Sequence, residues 1–112
     1  LQQQGQPAAE SSQQIQQRII AARERQQARQ GKANVLLSNQ ELERWCILER
    51  AALDLLDRAI DRLGLSTRAY HRILRLARTL ADLENRDQPS VQHVAEAVGY
   101  RRLDRMPDNY LN

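Results

Sequence analysis

Phenylalanine is absent from the 112 residues, and the aromatics reduce to Trp45, Tyr70, Tyr100 and Tyr110. A core must then be built from Leu, Ile, Val and Ala, which suits packed helices. Cysteine occurs once, as Cys46. A lone thiol excludes an internal disulfide and any CxxC metal or redox motif, and it fits a cytoplasmic location. Four glycines are present, and none belongs to a GxxxxGK string. The backbone cradle that wraps nucleotide phosphates is therefore missing from this stretch, as is a strand ending in acids that could hold Mg2+. No apolar run approaches the ~20 residues that span a bilayer, and no secretory-signal pattern opens the chain. Lysine is nearly missing as well, with Lys32 the single one.

Arginine takes its place. Seventeen Lys+Arg stand against fourteen Asp+Glu, a net charge of +3 and an isoelectric point near 9.6. The planar guanidinium suits bidentate recognition of phosphate or carboxylate. For any single arginine the default is pairing with acids on exposed helix faces.

The pattern predicts an all-α fold: a compact bundle of four main helices plus one short helical segment. Residues 1–10, LQQQGQPAAE, read as a flexible linker, residues 11–105 as a helical domain and residues 106–112 as a disordered tail. A start at LQQQ without Met fits a piece cut from a longer protein. Ser11 or Ser12 caps a first helix that Gly31 ends. Its apolar stripe is thin, Ile15, Ile19 and Ala22 with Gln26 in register, and it needs packing partners. Val35, Leu36 and Leu37 are expected to tuck inward. Ser38 and Glu41 form a capping box for a short helix with Leu42, Trp45 and Cys46 inward. Residues 49–63 place Ala52, Leu55, Leu56, Ala59, Ile60 and Leu63 on one face, with Asp54 and Arg58 as a surface pair. Ser66 caps a helix reaching Glu84, with Ala69, Ile73, Leu76, Ala77, Leu80 and Leu83 buried. After the turn NRDQP, Ser90 caps a last helix with Val91, Val94, Ala95 and Val98 inward and Tyr100 anchoring its end.

On the helix after Ser66, steps of about 100° per residue gather Arg68, Arg72, Arg75 and Thr79 into one arc. His71 and Asp82 are expected on that same solvent side. Arg68 sits in the first turn, where the positive helix end favours an anion. Arg72 and Arg75 extend the face, either to hold phosphate, to bridge to a neighbouring subunit, or simply to be solvated. Arg78 lies to the side as a salt-bridge partner. Arg18, Arg25 and Arg29, together with Arg101, Arg102 and Arg105, are candidate DNA contacts of the non-specific, salt-sensitive kind. His71 and His93 lie on different helices without a cysteine pair, so no metal site is expected. Cys46 has no identifiable base beside it.

The strings LSTRAYHRILRLARTLADLE, HVAEAVGYRRLDR and SSQQIQQRIIAARERQQARQGKANVLLSNQELERWCIL resemble the C-terminal part of magnesium-chelatase-like AAA+ ATPases of the ComM/YifB family, from Ser11 to Arg105. The resemblance implies that residues 11–105 are an AAA+ lid-like domain, the helical lid behind an ATPase core, with Arg68 at the nucleotide-sensing "sensor 2" position. It implies ATP and Mg2+ as cofactors of the parent protein and none for this stretch, which should not be an enzyme by itself. It also implies the upstream AAA+ core and a homo-oligomeric ring as partners. DNA remodelling by branch migration, in natural transformation or recombination, would be the parent's work. No membrane is expected to take part. Two other classes stand beside this reading: a stand-alone basic helical DNA-binding domain, supported by the isoelectric point, and a protein-interaction module. Residues 49–85 could form a helix–turn–helix, but the second helix lacks a separate base-reading set.

Overall fold

Serine caps set most of the helix starts. The protein is described here by a computed structural model covering residues 11–100. The expectations for the linker 1–10, the tail 106–112, and Arg101, Arg102 and Arg105 lie outside the described residues. Helix α1, Ser12–Gln30, begins with a reciprocal box. Ser11 Oγ accepts from the Gln14 N–H at 3.1 Å and Gln14 Oε1 accepts from the Ser11 N–H at 2.9 Å. It ends at Gly31, whose φ of 78° is the left-handed conformation that glycine adopts without a Cβ penalty. A 3-10 turn, Asn34–Leu36, leads to α2, Asn39–Trp45, which opens on the Ser38–Glu41 box. Helix α3 spans Arg50–Leu63 and stops at the left-handed Gly64. Helix α4, Thr67–Leu83, has Ser66 Oγ accepting from the Ala69 N–H at 3.0 Å. Helix α5 is Val91–Gly99. The described residues form helices and turns with no strand, an all-α bundle.

The centre is α4, which packs against α1, α2, the 3-10 turn and α5. Helix α3 joins mainly through α5, so the stripes of α3 and α4 meet across it rather than only each other. The shared core is Leu37, Leu42, Cys46, Ala52, Leu56, Ile73, Leu74, Ala77, Val94 and Ala97. Full burial of a Leu or Ile contributes roughly 1.5–3 kcal/mol, so these few side chains supply most of the cohesion of α2 to α5.

Several inward assignments change. Val35 and Leu36 point out, with Val35 73% exposed, because the 3-10 turn brings only Leu37 back to the core. In α2, Leu42 and Cys46 stand four apart and share the buried face, which leaves Trp45 at the exposed margin. Leu63 is exposed at the end of α3, and Asp54 bridges to Arg50 rather than to Arg58. The inward face of α5 is turned toward His93, Val94 and Ala97, so Val91, Ala95 and Tyr100 are exposed. In α4 the buried set includes Leu74, Arg78, Ala81 and Asp82, whereas Leu76, Leu80 and Leu83 are half-buried. No helix among the described residues is long and apolar enough to cross a membrane.

Candidate anion cleft and the polar clasp behind it

The start of α4 faces Asn39 and the 3-10 turn across a cleft of about 570 Å³, lined by Val35, Asn39, Thr67, Arg68, His71, Arg72 and Arg75. That volume falls within the roughly 300–1,000 Å³ typical of small-ligand sites. Three of the arginines grouped by helical spacing thus share one concavity. Thr79, farther along the helix, instead accepts from Asn34 Nδ2 at 3.1 Å. His71 Nε2 lies 2.7 Å from Glu43 Oε2, which ties the cleft wall to α2.

Arg75 is not a solvated stripe residue. Its Nη1 donates to the carbonyl oxygens of Asn34 and Leu37, bracing the 3-10 turn. Burial pulls its pKa below the usual arginine value, yet a guanidinium stays charged at any physiological pH. Its hydrogen bonds go to neutral carbonyls, and among the described residues no carboxylate pairs with this half-buried cation.

Behind the cleft lies a polar cluster that periodicity did not reveal. Asp82 was expected on the solvent side and is 0% exposed. Arg29 reaches it from α1 with two bonds, Nη1–Oδ1 at 2.8 Å and Nη2–Oδ2 at 3.1 Å. Arg78 Nη2 approaches Oδ1 at 3.0 Å, and Asn34 Nδ2 donates to Oδ2 at 2.9 Å. Burial alone would raise the Asp82 pKa. The bonds from Arg29 and Asn34 and the charge of Arg78 outweigh it and hold the carboxyl below its ordinary value. Arg78 is the salt-bridge partner its position suggested, but a buried one, 1% exposed, that also donates to the carbonyls of Asp87 and Arg86. Arg25 donates to Asn85 Oδ1 at 2.7 Å and to the Asp82 carbonyl at 2.6 Å. Arg25 and Arg29 are therefore turned onto α4 and its following turn, while Arg18 stays on the exposed part of α1.

Asn34 is the residue that sequence reasoning missed, whereas Gln26, in register with the α1 stripe, is buried as that spacing implies. Asn34 is 2% exposed. Its N–H donates to Gln26 Oε1 at 2.9 Å, and its Oδ1 accepts from Arg29 Nη2 at 3.1 Å and Gln30 Nε2 at 2.7 Å. An asparagine in a connection carries no periodic signal. The one legible hint was the Arg78–Asp82 spacing of four.

The remaining reactive types are structural. Burial pushes the Cys46 thiol up to about 12, so it stays protonated at neutral pH. His93 is buried, with Nδ1 accepting from the Ser90 N–H at 2.9 Å and Nε2 2.8 Å from Glu84 Oε1. Among the described residues no group of three His, Cys, Asp or Glu side chains could hold a metal ion.

A small all-α domain, with arginines converging on a cleft at one helix start, is the class these features define. The chain belongs to the family described as magnesium chelatase, subunit ChlI C-terminal, whose profile matches residues 9–101. It is 46% identical over 97 residues to the YifB protein of Salmonella typhimurium and 44% identical over 97 residues to the competence protein ComM of Haemophilus influenzae. Each match covers 87% of this chain and 19% of the relative. A Mycobacterium tuberculosis protein, Rv2897c, is 37% identical over 97 residues, covering 83% of this chain and 19% of its own length. The chain thus spans about a fifth of the length of these curated relatives. No solved structure matches it.

Proposed function

We propose that this domain is the C-terminal lid of an ATP-driven ring, in which Arg68 senses the phosphates of a nucleotide bound by the upstream AAA+ core. One observation carries the reading: Arg75, a half-buried cation without a carboxylate among the described residues, lines one cleft with Arg68 and Arg72 at the positive end of α4. Such a site favours a polyanion. ATP and Mg2+ belong to the longer protein, whose subunits assemble as a homo-oligomeric ring in the cytoplasm. Arg68 supplies charge opposite the terminal phosphate as negative charge builds there, and Arg72 lies alongside it, toward the phosphate or the next subunit. The domain itself supplies no hydrolysis. The family name concerns chelation, but the cleft's cations suit phosphate and not a metal ion. Kinship with a protein named for competence supports DNA as what the motor remodels, by branch migration in transformation or recombination.

The test is Arg68→Ala in the longer protein, beside Arg50→Ala. Arg68 is exposed, so the domain keeps its fold, within about 0.5 kcal/mol. ATP turnover should fall by ~10²-fold or more, the usual loss for one charged transition-state contact. Arg50, exposed at the start of α3 and paired to Asp54, should change neither. Wild-type turnover in Arg68→Ala would remove the sensor assignment.

A further inference from the structure

Helix α1 gives the core little apolar surface. Only Ala22 and Gln26 of its nineteen residues are buried. Burying a methyl-sized group contributes about 0.8 kcal/mol, whereas a hydrogen bond to a charged group contributes about 1.5–3 kcal/mol. The polar clasp, not apolar packing, therefore seats α1 on α4. The clasp is also continuous with the cleft. Arg75, on the cleft wall, holds the carbonyl of Asn34, and Asn34 holds Gln26, Arg29 and Gln30 of α1 through its N–H and its Oδ1.

We propose that Arg75 and Asn34 form a relay from the cleft to α1: an anion in the cleft draws the Arg75 guanidinium away from the carbonyls of Asn34 and Leu37, the 3-10 turn relaxes, and α1 loosens from α4. The relay rests on the anion-binding reading of the cleft. It acts inside the domain, between two of its own helices, and so differs from a rigid movement of the whole lid. The exchange is electrostatically reasonable. Arg75 now satisfies two neutral oxygens, and a phosphate offers it a full opposite charge and bidentate geometry. Asn34 then loses the brace on its backbone while its side chain still bridges α1 and α4. Arg75 positions the turn and Asn34 positions α1.

The probe is inorganic pyrophosphate titrated into the 112-residue chain, with backbone NMR to locate binding and amide exchange to follow α1. The expected result is shifted amides at the start of α4 together with severalfold faster exchange from Ala22 to Gln30. Sodium chloride at matched ionic strength should do neither, and an equal effect from it would overturn the relay. Shifts at the cleft with unchanged α1 exchange would also overturn it, and would leave the anion reading standing. Absence of any cleft shift would sink both. Arg75→Ala should raise α1 exchange without anion and abolish the further response. Linkage demands the converse. Gly31→Ala, which strains the hinge of α1 at φ 78° and leaves the cleft untouched, should tighten pyrophosphate binding by about fivefold or more. Faster α1 exchange in that variant with unaltered affinity would show that the two sites are not coupled.

Discussion

Asp82 is the residue on which the electrostatics of the bundle turn. Three side chains from two helices and the 3-10 turn converge on one buried carboxylate. Replacing it by Asn keeps the shape and removes the charge, which leaves Arg29 and Arg78 facing each other without compensation. Breaking a buried pair in this way costs about 3–5 kcal/mol. Asp82→Asn should lose that much in denaturant unfolding, while Asp54→Asn on the surface should lose no more than about 1 kcal/mol. The pH dependence follows from the lowered Asp82 pKa. A depressed folded value gives stability that is present above the unfolded value of about 3.9 and disappears as pH falls through the folded one. Wild type should therefore weaken below about pH 4, and Asp82→Asn should show a shallower acid limb. An equally steep limb in the variant would place the acid-sensitive carboxyl elsewhere.

Helices were legible because their ends carry local chemistry. Ser11, Ser38, Ser66 and Ser90, with Gly31 and Gly64, mark boundaries that need only neighbours within four residues. Which side of a helix faces inward depends on the other helices, which its own spacing does not specify. Arg78 and Asp82 look like surface residues by type, yet they are buried because they satisfy each other and because Arg29, Asn34 and the carbonyls of Arg86 and Asp87 supply the remaining partners. The arc of Arg68, Arg72 and Arg75 was readable from spacing, whereas the half-burial of Arg75 required knowing that the 3-10 turn folds over it. Equivalent caps should therefore have unequal effects. Ser66→Ala removes an acceptor from α4, the helix on which the bundle is built, and should cost about 1 kcal/mol, or about 4–8 °C in Tm for a domain of this size. Ser11→Ala breaks the same kind of bond at the exposed start of α1. There it should raise exchange in the first turn and leave Tm nearly unmoved. Equal Tm losses would mean that α1 unfolds together with the rest, contrary to its thin packing.

At the scale of the whole molecule, the fold class followed from composition and periodicity, and the charge balance invited a nucleic-acid reading that the structure redistributes. A net charge of +3 counts every arginine alike. The bundle does not, because Arg29 is bound to Asp82, Arg25 to Asn85 and the Asp82 carbonyl, and Arg78 is buried. Arg25 and Arg29 bond α1 to α4 and the turn after it, and Arg78 bonds that turn to α4. If the domain touches DNA within the longer protein, contact rests on the other exposed arginines. It is then sequence-indifferent, and its affinity falls with salt at about 0.9 log units per phosphate neutralised. Arg29→Gln separates the two uses of arginine. Neutralising a true phosphate contact lowers the salt slope by about one, but neutralising a clasp residue lowers stability and leaves the slope alone. The expected outcome is a lower melting temperature for Arg29→Gln with a DNA-binding slope equal to that of wild type, measured well below the melting transition. A slope reduced by about one, with stability intact, would mean that the clasp opens on DNA and that Arg29 serves the nucleic acid after all.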